Sequence, residues 1–318
     1  MAKPIQPLLI DRFKADLQAL AEPHGRIGIA YSGGPDSLAL LLLARAAFPK
    51  QVAAATVDHG LRPESASEAL HAASTCASLG IAHDILGAAI GPGGEGLQGE
   101  ARRARYAALR DWARQRGVPI LCTAHHADDQ AETVLMRLQR GAGLSGLASI
   151  RPVKAEDDVN ILRPLLAWSR RELRDIVEAS GLRAVADPSN EDLRFDRVSM
   201  RRFLAANPDF ESARLARSAA ALRESEAALS WAADRVWDER VRLDQGFGEF
   251  VPDGLPPEIV RRILVRLLGE LGVAKPPRGE DVQRLAAALA RGASATLAGV
   301  KCVGGAAWTF RPEPPRRA

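Results

Sequence analysis

The sequence predicts an α/β protein: a parallel-sheet domain followed by a smaller, mostly helical one. Three observations carry this. Short apolar runs alternate with helical runs between Arg26 and Arg140, polar or glycine-rich loops follow those apolar runs, and Ala/Leu/Arg-rich helical text dominates from Asp196 onward. Strands alternating with helices of this length imply βαβ units and hence parallel strand pairing.

The elements follow in order. Arg26–Tyr31 reads as a buried strand, SGGPDS as a loop and Leu38–Ala47 as a helix. Val52–Val57 is a second strand, followed by DHGLRPES and a helical pattern from Ala66 to Leu79. A weaker strand spans Ile81–Leu86, and the GPGGEG loop leads to a basic helix over Gln98–Gln115. Pro119–Ala124 is a third clear strand and Asp128–Arg140 its helix. Asn160–Arg163 is one more strand, and Ser169–Ser180 a helix opened by a Ser169/Glu172 capping box. The polar stretch ADPSNED is a turn. Helical text then runs to Arg240, GFGEF breaks it, helices return at Pro257–Leu271 and Glu280–Arg291, and Ala295–Phe310 looks β-like. The expected domain boundary lies near Asn207-Pro208, giving domains 1–207 and 208–318.

Composition narrows the function. The 318 residues suffice for about two domains at ~150 residues each. With 47% hydrophobic and 26% charged residues, the chain matches globular rather than disordered or fibrous proteins. No apolar run reaches the ~18–20 residues of a membrane span, and Asp11 and Asp16 interrupt any secretory h-region, so a cytoplasmic location is expected. Cys76, Cys122 and Cys302 form no C-x-x-C pair, which argues against a disulfide framework, a zinc ribbon or a cysteine-held cluster. All six histidines fall within the first 126 residues. Six lysines stand against thirty-seven arginines at a net charge of +4. Arginine binds phosphate bidentately, so this balance permits an RNA partner, though a GC-rich genome gives the same ratio.

Two motifs carry chemistry. In Ser32-Gly33-Gly34-Pro35-Asp36-Ser37, glycines let the backbone approach a ligand, and Pro35 opens a helix whose free N–H groups and dipole favour an anion. The alternative is an ordinary turn capped by Ser32 or Asp36. Neither the G-x-x-x-x-G-K-[ST] nor the G-x-G-x-x-G phosphate signature is present. In the second motif, Ala124 to Thr133 (AHHADDQAET), Asp129 and Glu132 fall on one helix face, as do His125 and Asp129. A zinc or di-iron site would need a further ligand cluster, and an acidic first turn complementing the dipole is the plain alternative. Asp58 and His59 end the second strand, where α/β sheets place ligand loops. Between Gly99 and Gly117, six arginines face two acids, enough for one of them to bind a carboxylate or phosphate.

The SGGPDS loop resembles the pyrophosphatase loop of the ATP-pyrophosphatase superfamily. The ordered set SGGPDS, VDHGLR, EARRARY, HHADDQAET, LQRGAGLSGL, RPLLAWSRREL and DPSNEDLRFDRVSMRRFL resembles the bacterial tRNA(Ile)-lysidine synthase family over about Ile27 to Leu204. Val198 departs from it, standing where the family shows Asn. The resemblance implies a Rossmann-like, parallel-sheet nucleotide-binding domain of PP-loop type and ATP as substrate with Mg²⁺. It implies tRNA(Ile) with a wobble cytidine and L-lysine as partners, no membrane, and a homodimer as candidate assembly. Ser32 to Ser37 would hold pyrophosphate, with Asp58 and His59 close to the nucleotide and Asp36 and Asp129 at the metal. Arg105, Asp129 and Glu132 would hold lysine, and Arg197, Arg201 and Arg202 would contact tRNA from the Leu193–Arg223 arginine cluster. The rivals are a tRNA 2-thiolation enzyme, which commonly uses C-x-x-C pairs, and an ATP-binding module without chemistry, which would need neither EARRARY nor HHADDQAET.

Overall fold

A computed structural model describes residues 4–58, 60, 64–88, 97–148, 150–156, 158–185 and 196–313. The expected GPGGEG and ADPSNED loops and His59 lie outside the described residues. The chain forms two compact units, Met1–Arg223 and Glu224–Ala318.

The first unit is built on a six-stranded sheet. Its strands are β1 (Ile27–Ala30), β2 (Val52–Asp58), β3 (Ala82–Gly87), β4 (Ile120–Cys122), β5 (Val153–Glu156) and β6 (Val159–Leu162). They lie in the order β3-β2-β1-β4-β6-β5. All pairings are parallel except β5 with β6. Parallel registry sends Ser32, Asp58, His125 and Arg163, each at or just past a strand end, to one edge of the sheet. Strand order changes direction around β1 and β4, where α/β sheets open a crevice.

Helices α1 (Pro7–Gln18), α2 (Pro35–Ala47), α3 (Ser65–Ser78) and α4 (Leu97–Arg116) precede β4 in the chain. After it come α5 (Ala127–Gln139), the short α6 (Leu144–Leu147), α7 (Arg170–Ser180) and α8 (Asp196–Ala206). Every residue of α2 from Ser37 to Ala44 is buried. A helix apolar all round must be covered on all sides, and the sheet, α1 and α7 cover it. Truncating Leu41, which is fully buried there, would cost about 2–5 kcal/mol. On the other face of the sheet, Trp112 of α4 packs so closely on β1 that a Cβ at Gly28 would come within 2.9 Å of its ring. The expected capping box of α7 is present: Ser169 Oγ accepts from the Glu172 amide at 3.2 Å, and Glu172 Oε2 accepts from the Ser169 amide at 2.8 Å.

Helix α9 (Ser212–Arg240) crosses from the first unit into the second. The unit division therefore falls later than the expected Asn207-Pro208 break, which sits between α8 and α9. Two contacts hold the start of α9 in the first unit: Ser212 Oγ donates to Asp128 Oδ1 at 3.2 Å, and Arg223 Nη1 to Ala148 O at 3.4 Å.

The second unit is less purely helical than expected. Besides α10 (Pro257–Glu270) and α11 (Gly279–Ala290), it holds an antiparallel sheet of β7 (Val241–Asp244), β8 (Phe247–Phe250), β9 (Ser294–Leu297), β10 (Val300–Val303) and β11 (Trp308–Pro312). Their order is β7-β8-β11-β10-β9. The GFGEF stretch, expected only to break a helix, pairs with β7 and β11 because Gly246 takes φ +69° and closes a hairpin. Phe250, Phe310, Trp308 and the inner face of α10 form its core. Among the described residues no helix is long and apolar enough to cross a membrane.

Candidate active site

The loop after β1 is shaped by Gly33 and the serines. Gly33 takes φ +81°, a region that favours glycine, and a Cβ there would meet Val185 Cγ2 at 3.2 Å. Its carbonyl accepts from the Val185 amide at 2.9 Å. Ser37 Oγ donates to Gly34 O at 2.9 Å and accepts from the Ser32 amide at 3.2 Å, while the two serine hydroxyls lie 3.1 Å apart. Gly34 is the extended N-cap of α2 and no side chain caps it, so the first amides of α2 face outward unclaimed by Ser32 or Asp36. That arrangement suits an anion.

The second motif comes alongside it. His126 is the N-cap of α5, and His126 and Asp129 make a reciprocal capping box. Asp129 Oδ2 accepts from the His126 amide at 3.0 Å. The His126 ring is fully buried, with Nε2 3.4 Å from Asp36 Oδ2 and 3.6 Å from Asp129 Oδ2. Nδ1 lies 3.6 Å from Asp128 Oδ2 and 3.2 Å from the Asp128 amide. Burial opposes a charge on this ring, but Asp128, Asp36 and Asp129 outweigh it and raise its pKa to about 9. Burial pushes the Asp36 carboxyl up, yet contact with His126 and the fields of Arg170 and Arg174 bring it below its ordinary value. Asp128 is likewise held well below the carboxylate range, burial being overcome by His126 and by the Arg170 amide, which donates to it at 2.8 Å.

The other expected residues divide. Glu132 is buried, and its Oε1 accepts from Arg170 Nη2 at 3.3 Å and Arg201 Nε at 3.0 Å. Arg201 is thus brought to the acidic helix, while Arg197 and Arg202 are exposed on α8. Asp58 accepts from the Gly60 amide at 2.9 Å at the end of β2. Arg105 is half-buried with its guanidinium 5.5 Å from the Tyr106 ring centroid.

His125 departs from expectation. It precedes α5 instead of sharing a face with Asp129, because the helix begins only at Ala127. Its Nδ1 lies 2.9 Å from Thr123 Oγ1. Burial, then Arg163, Arg102, Arg197 and Arg105, drive its pKa well below the usual imidazole value, so it stays neutral in an arginine-rich pocket. Arg105 and Arg197, read separately from the sequence, therefore share one neighbourhood.

Three side-chain atoms of this constellation are buried without a hydrogen-bond partner among the described residues: Asp36 Oδ1, His126 Nε2 and Glu132 Oε2. Arg163 Nε is a fourth, at the end of β6. Sequence reasoning gave no role to His126, Arg163 or Arg170. Arg170 was signalled by its place directly after the Ser169 cap, and Arg163 by a charge closing an apolar strand.

The buried polar atoms left open lie beside the glycine-rich loop at the crevice of a parallel sheet. A family model described as the PP-loop domain matches residues 9–207, which sets the class. The chain is 47% identical to a tRNA(Ile)-lysidine synthase of Novosphingobium aromaticivorans, over 96% of this chain and 94% of that one. It is 44% identical to the tRNA(Ile)-lysidine synthase of Zymomonas mobilis, over 92% and 90% respectively. The chain belongs to the tRNA(Ile)-lysidine synthase family. Among solved structures, a U34-tRNA thiolase from Methanococcus maripaludis aligns with TM-score 0.56 at 18% identity, covering 69% of this chain and 81% of that one, a likeness of fold alone.

Proposed function

We propose that this chain joins L-lysine to C2 of the wobble cytidine of an isoleucine tRNA, consuming ATP and releasing AMP and pyrophosphate. The observation that carries the reading is the meeting of the SGGPDS loop with the acidic start of α5 through His126. In the first step the cytidine O2 attacks the α-phosphorus and pyrophosphate leaves. In the second the lysine ε-amine attacks C2, AMP leaves with O2, and the amine sheds its protons.

The loop amides and the N-terminus of α2 would hold the departing pyrophosphate, placing donors where charge develops. Asp36 and Asp129 would hold Mg²⁺, which supplies positive charge against the phosphates. Mg²⁺ is commonly bound by one or two carboxylates plus phosphate oxygens; Asp36 and Asp129 both approach the His126 ring, and Asp36 Oδ1 stays open. Asp129 and Glu132 would take the lysine ammonium and Arg105 its carboxylate. Arg197 and Arg202, exposed on α8, would meet tRNA phosphates.

The thiolation reading is disfavoured by the thiols themselves. Cys76, Cys122 and Cys302 are all buried, and burial raises Cys76 to about 12, Cys302 to about 11 and Cys122 further still. A thiolate nucleophile needs the opposite shift.

Pyrophosphate release separates the readings. We expect release from ATP to require a tRNA(Ile) bearing the wobble cytidine, with sustained turnover only when lysine is added. Turnover supported by a sulfur donor in place of lysine, or release independent of tRNA, would contradict the proposal.

A further inference from the structure

Arg201 sits in the stretch expected to contact tRNA, but its side chain is engaged elsewhere. Its Nε donates to Glu132 Oε1 at 3.0 Å, and Arg170 Nη2 reaches the same oxygen from the start of α7 at 3.3 Å. Glu132 is 1% exposed, and its other oxygen, Oε2, is buried without a partner among the described residues. Two donors on one oxygen, arriving from different helices, fix the plane of the carboxylate. They leave the second oxygen as the acceptor still to be filled. A protein carboxylate buried for stability alone would have both oxygens satisfied.

We infer that Arg201 is a positioning residue for the amino-acid substrate: together with Arg170 it holds Glu132 so that Oε2 receives the lysine ammonium. This rests on the lysine-ligase reading above and refines it. It also moves Arg201 from the RNA-contacting set to the amino-acid pocket, leaving Arg197 and Arg202, both exposed on α8, in that set. Because α8 delivers the guanidinium to α5, the pocket depends on helix placement that neither motif contains.

The test measures lysine KM at saturating ATP and tRNA for wild type, R201A, R201K and E132Q. Single-turnover pyrophosphate release with lysine omitted is measured alongside. R201A should raise the lysine KM about tenfold, the factor carried by ~1.4 kcal/mol, while lysine-free pyrophosphate release stays within about twofold of wild type. R201K should recover part of the loss, since it restores the charge but not the Nε geometry. The R201A/E132Q pair should be no worse than E132Q alone, because both act through one contact. An unchanged lysine KM in R201A would overturn the inference. So would a lowered one, which would make Arg201 a competitor of the ammonium. Weaker tRNA binding with a flatter salt dependence and normal lysine KM would return Arg201 to the RNA surface. Should R201A fail to fold, R201K decides on the same readout. Failure of wild type itself to form a lysine adduct would instead remove the underlying function.

Discussion

Two charged clusters in this molecule look alike in composition and differ in completeness. In the second unit, Arg262 grips Glu226 through both terminal nitrogens at 2.9 and 2.6 Å and donates from Nε to Glu258 at 2.8 Å. Arg261 takes both Glu258 oxygens at 2.7 Å, and Ser230 lies 3.1 Å from Arg262 Nη1. Every carboxylate oxygen there has a donor. At the start of α5, Asp36, His126 and Glu132 each keep a buried atom open. A completed network serves the fold, whereas buried polar atoms left open call for a partner beyond the described protein atoms, whether water, an ion or a ligand.

The comparison breaks most sharply at Asp36. Asp36→Asn should cut tRNA-dependent pyrophosphate release by about 10²–10³-fold, the scale of losing one electrostatic contact to a developing charge. Its melting temperature should barely move. Near-normal release would take Asp36 out of the chemistry.

Arg262→Ala should do the reverse. It strips a largely buried guanidinium from two carboxylates and should cost about 2–3 kcal/mol of stability in urea denaturation. A loss below about 0.5 kcal/mol would show that the second cluster is no more structural than an exposed ion pair.

Smaller effects sharpen the contrast. Arg202 is exposed on α8, and Arg202→Ala should lower the slope of log tRNA affinity against log salt by up to about 0.9, without changing the lysine KM. An unchanged slope in filter binding would place the tRNA footprint elsewhere.

The smallest effect concerns pH. The Arg261 hydrogen bonds hold the Glu258 carboxyl below its ordinary value despite some burial. Such a depressed group contributes stability above its unfolded pKa of about 4.3 and loses it as pH falls through the lower folded value. Glu258→Gln should therefore flatten the acid limb of stability between pH 5 and lower pH, roughly speaking. A limb identical to wild type would assign the acid sensitivity to other carboxylates.

Much of this was legible in the sequence because it is local. The βαβ alternation, the glycine turn at Gly33-Gly34 and the Ser169/Glu172 cap depend on neighbours a few residues apart. Strand β5 and the hairpin at GFGEF escaped although their hairpin partners lie only a few residues away, because four-residue strands carry too short a pattern to tell from a turn. The grouping of SGGPDS with HHADDQAET followed from the parallel sheet, but the Glu132–Arg201 contact spans 69 positions and no periodicity announces it. His125 was misplaced for a local reason: His126 is the N-cap of α5, so His125 lies before the helix and shares no face with Asp129.

The central claim is that the open atoms at α5 and the SGGPDS loop serve one lysine-dependent modification of RNA. Mass spectrometry of nucleosides from tRNA(Ile), after incubation with the protein, ATP and isotopically labelled lysine, tests it most directly. The account predicts a cytidine at the wobble position heavier by one labelled lysine less the water lost, appearing only when ATP is present. An unmodified cytidine, or one carrying sulfur or any mass other than lysine's, would contradict it.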